Sequence, residues 1–252
     1  MAGKTTRIKI WRQEGPDQSG RFEEFELPYR PGANIISCLM EIQKHPVNAS
    51  GEKSTPPVWE SNCLEEVCGA CSMVINGHVR QSCSSLVDRL APNGETISLE
   101  PMRSFPIVRD LIVDRSKMFD NLKKVHAWID IDGTHDLGPG PKMSPYDQEW
   151  AYELSKCMTC GCCLEACPNW HYTGEFVGAA AISQVRLFNT HPSGNLHKHV
   201  RLEALMGPGG VSDCGQAQNC VKVCPKGIPL TTSIADMYRD TTVYSISRWF
   251  RK

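Results

Sequence analysis

The chain has 252 residues, which suits one large domain or two small ones, and its 27 basic residues nearly balance 28 acidic ones. The formal net charge of −1 argues against a general attraction to nucleic-acid phosphates. The sequence has neither the roughly 20 consecutive apolar residues of a membrane span nor an apolar N-terminal signal region, so we expect a cytosolic chain or one held at a membrane by a partner.

The first hundred residues indicate a small sheet with one helix. Apolar side chains recur at helical spacing from Ile35 to Ile42, and Pro46 cannot continue that helix. Asn76-Gly77 separates two strand-like runs and is the strongest two-residue hairpin signal. The expected helix is 33–45, and the expected strands are 6–14, 21–29, 71–75, 78–82 and 96–102. Strands around one helix, with a cysteine-bearing loop, predict a β-grasp sheet.

Beyond residue 105 the pattern becomes helical. Ser144 is a suitable N-cap and Pro145 a suitable first helical residue, and the Gly/Pro-rich segment 132–143 reads as a connector. Helices are expected at 105–129, 144–156, 181–189, 200–206 and 230–240. We therefore predict an α+β protein with one domain over residues 1–105 and a helical domain over residues 106–252.

Thirteen cysteines are present, and most of them fall in three tight groups. A disulfide scaffold is one explanation, but the number is odd and no export signal is visible. Clustered thiolates in a reducing compartment instead predict metal ligation.

The first group has the spacing C-x4-C-x2-C-x11-C, formed by Cys63, Cys68, Cys71 and Cys83. This spacing is typical of plant-type ferredoxins, which hold a [2Fe–2S] cluster. In the hairpin register that pairs Ile75 with His78, Cys71 lies opposite a serine. Cys83 then lies beside the loop and supplies the fourth thiolate. A structural zinc site would also take four thiolates and is the alternative.

The second group, Cys157–Pro168, has the bacterial ferredoxin pattern C-x2-C-x2-C-x3-C-P, whose fourth cysteine binds the other cluster of a pair. The third group, Cys214–Pro225, repeats this register except that Ala217 replaces a cysteine. One predicted cluster, [4Fe–4S], takes four thiolates: Cys157, Cys160, Cys163 and Cys224. The other takes only three: Cys167, Cys214 and Cys220. The helical domain is thus expected to resemble a bacterial ferredoxin.

Three thiolates leave one corner of the second cluster facing the methyl group of Ala217. An iron without a protein ligand is easily lost, which predicts a [3Fe–4S] cluster of high potential, because fewer anionic ligands favour reduction. A four-iron site whose open corner binds water or substrate, as in a hydratase, is the alternative. Cys162 is out of register and is interpreted as a spare thiol, and Cys38 as a core residue of the first helix.

The sequence lacks the glycine-rich phosphate-binding patterns and any Ser-His-Asp or paired-carboxylate set, so no catalytic residue is assigned. A chain with two-, four- and three-iron centres can pass single electrons along its length. The substrate chemistry is therefore expected on another subunit.

Four stretches of the sequence resemble the iron–sulfur subunits of the succinate dehydrogenase and fumarate reductase family, and the likeness extends over essentially the whole chain. They are "NCLEEVCGACSMVINGHVRQSC", "WAYELSKCMTCGCCLEACP", "SQVRLFNTHP" and "CPKGIPLTTSIA". The family's ligand pattern carries over onto the three sets of cysteines given above. The sequence is most similar to the type whose anchor is a single dihaem cytochrome b and whose acceptor is menaquinone.

The resemblance implies two partner subunits. The N-terminal domain would dock on a flavoprotein whose FAD oxidises succinate to fumarate. Electrons would leave near the [3Fe–4S] end toward menaquinone or haem b in the membrane cytochrome b anchor. The chain would then lie peripherally on the cytoplasmic face of the membrane, with no nucleic-acid partner.

One departure from the family pattern concerns the quinone. Ubiquinone-using members have a Trp four residues after Cys-Pro and a His after the first cysteine of the last group, whereas this sequence has Tyr172 and Gly215. This difference puts a quinone pocket on this chain in doubt. The alternative is that Pro168, Trp170, His171 and Tyr172 only pack on the anchor.

Three other functions are consistent with parts of the cysteine pattern. The same complex could run as a fumarate reductase, since the electron path would look alike. A stand-alone ferredoxin-like carrier or redox sensor would also hold clusters, and a zinc-stabilised interaction module would use the cysteines differently.

Overall fold

A computed structural model of the chain describes residues 4–130 and 140–250, and these form two compact units. The first unit comprises Met1–Arg115 and Cys160–Glu165, and the second comprises Ser116–Thr159 and Ala166–Lys252. Most of the predicted connector 132–143 lies outside the described residues. The predicted domain boundary near residue 105 stays a prediction.

Within the described residues, the first unit contains a mixed sheet of five strands in the order β2-β1-β5-β3-β4. The strands are β1 Thr5–Arg12, β2 Arg21–Pro28, β3 Ser72–Ile75, β4 His78–Gln81 and β5 Ile97–Glu100, and the helices are α1 Ile35–Lys44 and α2 Val87–Leu90. Strand β1 runs parallel to β5 and antiparallel to β2. Leu39 and Ile42 of α1 are fully buried in one core with Ile8 and Leu99 of the sheet. This arrangement is the predicted β-grasp sheet.

The β3–β4 hairpin has the register that the sequence predicts. Its turn residues Asn76-Gly77 both have positive φ angles, 49° and 76°, as a two-residue hairpin turn with matching twist requires. Ile75 pairs with His78. Just beyond the strands, the Ser82 N–H donates to the Cys71 carbonyl at 3.1 Å. The hairpin therefore brings the chain that follows β4 back to the cysteine loop.

The single helix predicted for 105–129 is wrong in its first half. The segment instead forms a small hairpin followed by a shorter helix: β6 Ile107–Arg109, β7 Ile112–Val113 and α3 Ser116–Lys124. The hairpin turns at Asp110, which is 1% exposed and accepts the N–H groups of Gln13 and Val58, each at 2.9 Å. Its carboxylate also lies 3.3 Å from Nε of Arg12. These partners are distant in sequence, so local periodicity could not reveal them.

From residue 144 onward the described part of the chain is mainly helical, as predicted, but the last helix continues to Phe250 instead of ending near residue 240, and three short helices were not predicted. The helices are α4 Pro145–Ser155, α5 Cys162–Glu165, α6 Gly178–Thr190, α7 Pro192–Asn195, α8 Lys198–Met206, α9 Asn219–Lys222 and α10 Leu230–Phe250, with a 3-10 turn at Val211–Asp213. Ser144 caps α4, because its Oγ accepts the Asp147 N–H at 3.1 Å. In the second unit α6 packs on α10, where the hydroxyl oxygens of Ser183 and Ser233 lie 3.4 Å apart. Among the described helices, none combines the length and the apolarity that crossing a bilayer requires.

Candidate iron–sulfur centres

The first cysteine loop turns its backbone N–H groups toward sulfur. Leu64, Glu66 and Gly69 have positive φ angles of 61°, 57° and 74°. In such a backbone, successive N–H groups point into a concavity that attracts negative charge. The N–H groups of Glu65 and Val67 donate to Cys63 Sγ at 3.4 and 3.3 Å. The loop therefore fits a group with anionic sulfur ligands, which is an observation that the spacing alone could not supply.

The four thiols of this group form two pairs. Cys63 hydrogen-bonds with Cys68, and its pKa is lowered to about 7, chiefly by the Glu65 N–H and then by that of Val67. Cys71 interacts with Cys83, and burial raises the pKa of Cys71 to about 11. Two irons with two terminal thiolates each need this division into pairs. No group of three His, Cys, Asp or Glu side chains in residues 4–130 and 140–250 is placed to hold one metal ion.

The second and third cysteine groups are structural repeats of one another, offset by 57 positions from Cys157 to Cys214. The short helices α5 and α9 have the same length and occupy equivalent positions. After each helix the chain makes an equivalent turn. The Trp170 N–H donates to the Cys167 carbonyl at 3.3 Å, and the Gly227 N–H donates to the Cys224 carbonyl at 3.1 Å. The similarity that the sequence suggests thus extends to the backbone.

The repeat includes the position where one cysteine is missing. Cys160 lies between Thr159 and Gly161, whose φ angles are 50° and 86°. Ala217 lies between Gln216 and Gln218, whose φ angles are 54° and 60°. Glutamine rarely adopts this conformation, so its occurrence on both sides of Ala217 indicates a constrained loop. The third group keeps the backbone of a cluster loop although one thiol is absent.

The structure brings together the three cysteines predicted to hold the three-iron cluster. Burial raises the pKa of Cys220, and the neighbouring Cys167 and Cys214 raise it further by like-charge repulsion. Cys214 also contributes to the raised pKa of Tyr238, after the larger effect of burial. Ala217 is exposed in this loop. A cationic metal centre relieves repulsion between neighbouring thiolates, so these three cysteines suit a cluster.

The four cysteines predicted for the four-iron cluster belong to different units of the chain. Cys160 and Cys163 belong to the first unit, and Cys157 and Cys224 belong to the second. The pKa of Cys160 is strongly raised, first by its hydrogen bond with Cys162 and then by burial. This ligand set stays a prediction.

The two cysteines left out of the ligand sets are both buried. Cys38 lies in the core on α1, and burial raises its pKa to about 11. Cys162 is fully buried and accepts a hydrogen bond from Gln81 Nε2 at 3.4 Å. Its Sγ also lies 3.9 Å from the hydroxyl of Ser72.

The variant Cys162→Ser tests the assignment of ligands in the second group. Serine keeps the size of the side chain, and its hydroxyl can bond to Gln81 and Ser72, so we expect full cluster content and a loss of stability of only about 1 kcal/mol. Iron analysis and EPR of the purified complex provide the measurement. Loss of the four-iron signal in Cys162→Ser would show that Cys162 is a ligand and that the assigned register is wrong by one residue.

The interpretation of Trp170 as a residue that packs on an anchor is wrong, because this side chain is fully buried within the chain. His171 is exposed and Tyr172 is half-buried. At Gly215, a Cβ would come within 2.5 Å of the Asn169 side-chain oxygen. A larger residue at position 215 would therefore need Asn169 to move.

Comparisons with known proteins agree with this architecture. The family model described as "2Fe-2S iron-sulfur cluster binding domain" matches residues 7–120, and the one described as "4Fe-4S dicluster domain" matches residues 153–228. The succinate dehydrogenase iron–sulfur subunit of Bacillus subtilis is 62% identical over 247 residues, covering 98% of this chain and 96% of that protein. The fumarate reductase iron–sulfur subunit of Wolinella succinogenes is 27% identical over 242 residues, covering 94% and 97%.

A solved structure supports the fold. A chain of the Mycobacterium smegmatis Sdh1 complex in the apo form superposes with a TM-score of 0.82 at 22% identity, covering 96% of this chain and 98% of that one. A β-grasp unit with a paired-thiol loop, followed by a helical unit with duplicated cysteine loops, defines an electron-transfer protein with two kinds of iron–sulfur domain. More specifically, the chain belongs to the family of succinate dehydrogenase iron–sulfur subunits.

Proposed function

We propose that this chain is the iron–sulfur subunit of a succinate:quinone oxidoreductase and carries electrons from a flavoprotein toward a membrane cytochrome. The observation that carries this proposal is 62% identity, over 98% of the chain, to a protein named as a succinate dehydrogenase iron–sulfur subunit. The relatives named as fumarate reductase subunits are much more distant, which favours succinate oxidation as the working direction.

The residues of this chain act as ligands. The [2Fe–2S] cluster is held by Cys63, Cys68, Cys71 and Cys83, the [4Fe–4S] cluster by Cys157, Cys160, Cys163 and Cys224, and the [3Fe–4S] cluster by Cys167, Cys214 and Cys220. When bound, the clusters supply one-electron redox centres between the two-electron chemistry of a flavin and a quinone. The backbone N–H groups of the three loops stabilise the negative charge on the sulfurs. The chain contributes no catalytic residue.

The proposed partners follow from the same identification. A flavoprotein with FAD oxidises succinate, and a membrane cytochrome b with haem b receives the electrons. Menaquinone is the proposed acceptor, near the [3Fe–4S] end. The chain then lies on the cytoplasmic face of the membrane, and residues 1–105 and 106–252 form its two cluster-binding domains.

Low-temperature EPR of the purified complex, with succinate-driven quinone reduction measured on the same sample, tests the proposal. We expect a three-iron signal in the oxidised enzyme and a two-iron signal after reduction. Assays of succinate oxidation and fumarate reduction then give the working direction. A complex that contains zinc in place of iron, and yet reduces quinone with succinate, would contradict the proposed function.

A further inference from the structure

Arg115 holds the backbone of the first cysteine loop. Its Nη1 donates to the Gly69 carbonyl at 2.9 Å, and its Nη2 donates to the Ala70 carbonyl at 2.8 Å. The two nitrogens of one guanidinium thus bind two successive peptide groups, a geometry that the planar fork of arginine permits. The side chain is 16% exposed, so solvent screens its charge only in part.

This clamp determines where the next N–H points. In a trans peptide the C=O and the N–H point in opposite directions. The peptide whose carbonyl belongs to Gly69 has its N–H on Ala70, and that N–H donates to Cys68 Sγ at 3.4 Å. Arg115 therefore fixes the donor of a hydrogen bond to a cluster sulfur although it does not touch the sulfur itself. The Ser72 hydroxyl also lies 2.8 Å from the Gly69 carbonyl and supports the same peptide.

The charge of Arg115 acts in the same direction as its clamp. A reduced cluster carries one more negative charge than an oxidised one. Hydrogen bonds to sulfur and a nearby positive charge both stabilise the reduced form and raise the potential. The guanidinium also pairs with Glu60, whose Oε2 lies 3.7 Å from Nη2 and whose side chain is 46% exposed. Removing Arg115 would leave this carboxylate beside the loop.

We propose that Arg115 is a positioning residue that raises the reduction potential of the [2Fe–2S] centre, by orienting the Ala70 N–H toward sulfur and by its own charge. The inference rests on the proposed function, since it requires the first cysteine group to hold that cluster. Arg115 thereby helps the first centre to accept an electron from the flavin side.

An EPR-monitored redox titration of the purified complex tests this role. In Arg115→Gln, we expect the ratio of reduced to oxidised [2Fe–2S] at the wild-type midpoint to fall about tenfold, which corresponds to ~59 mV for one electron. The [3Fe–4S] signal of the same sample serves as an internal reference and should keep its midpoint. Arg115→Lys keeps the charge but replaces the fork with a single nitrogen, so its midpoint should fall between those of wild type and Arg115→Gln.

Arg103→Gln is the matched control, because Arg103 also pairs with one carboxylate, Glu100, in the first unit but has a 70% exposed side chain. Its [2Fe–2S] midpoint should stay at the wild-type value. An Arg115→Gln midpoint no lower than that of Arg103→Gln would overturn the inference. A wild-type midpoint in Arg115→Lys would show that the two-nitrogen contact with the loop does not affect the potential. If Arg115→Gln does not assemble, the Arg115→Lys comparison decides. Absence of any two-iron signal in the wild-type complex would instead reject the proposed function.

Discussion

Replacement of Ala217 by cysteine is expected to convert the three-iron centre into a four-iron centre and to lower its potential. The added thiolate would complete the fourth corner, and the extra negative charge would make the cluster harder to reduce, by on the order of 100 mV. Electron delivery toward quinone should slow as this centre becomes a poorer acceptor. EPR should show loss of the three-iron signal from the oxidised enzyme and a new four-iron signal after reduction.

The backbone around Ala217 supports this expectation. Gln216 and Gln218 have positive φ angles, as Thr159 and Gly161 have on either side of Cys160 in the other repeat. A cysteine at 217 would therefore be presented by a backbone conformation that already presents a cysteine elsewhere in the chain. We therefore expect the new thiol to reach the cluster without a change in the fold of the loop.

Two neighbouring variants provide controls for this experiment. Ala217→Ser adds a side chain of similar size without a thiol, and Gln216→Cys adds a thiol one residue out of register. Both should keep the three-iron signal. Persistence of that signal in Ala217→Cys, with full iron content, would show that position 217 does not face the open corner.

The sequence predicted the β3–β4 hairpin well because its signals are local. Asn76-Gly77 fixes a two-residue turn, and the turn fixes the register that pairs Ile75 with His78. The segment 107–113 was predicted wrongly because its conformation depends on Asp110. The Asp110 carboxylate accepts the backbone N–H groups of Gln13, nearly a hundred positions away, and of Val58, about fifty positions away. The periodicity of the segment itself gives no sign of these partners.

The candidate site likewise has features that the sequence predicts and features that depend on contacts between distant residues. The cysteine spacing predicted which residues act as cluster ligands and that position 217 lacks one, and this assignment stays a prediction. The positive φ angles of Leu64, Gln216 and Gln218 could not be predicted, because these residue types do not favour that conformation. The contact of Arg115 with the cysteine loop was also not predictable, because more than forty residues separate them in sequence.

A methyl group at position 69 is expected to damage the first cysteine loop severely. Gly69 has a φ of 74°, and a Cβ there would lie 2.7 Å from both Cα and Cβ of Cys160. Backbone atoms cannot swing aside as a flexible side chain would. Gly69→Ala should therefore combine a conformational cost of about 1–2 kcal/mol with a steric cost of about 1–3 kcal/mol. We expect the apparent melting temperature to fall by roughly 4–20 °C and the [2Fe–2S] content to fall with it.

Gly77→Ala separates the two contributions. Gly77 has nearly the same φ, 76°, but in the described part of the chain no heavy atom beyond its two chain neighbours lies within 4 Å of a Cβ built there. This variant should show the conformational cost alone, with a melting temperature lowered by about 2–8 °C and an unchanged cluster content. The difference between the two alanine variants then measures how closely the loop approaches Cys160. Equal melting temperatures would show that the loop can move away from Cys160 freely, and the steric argument would fail.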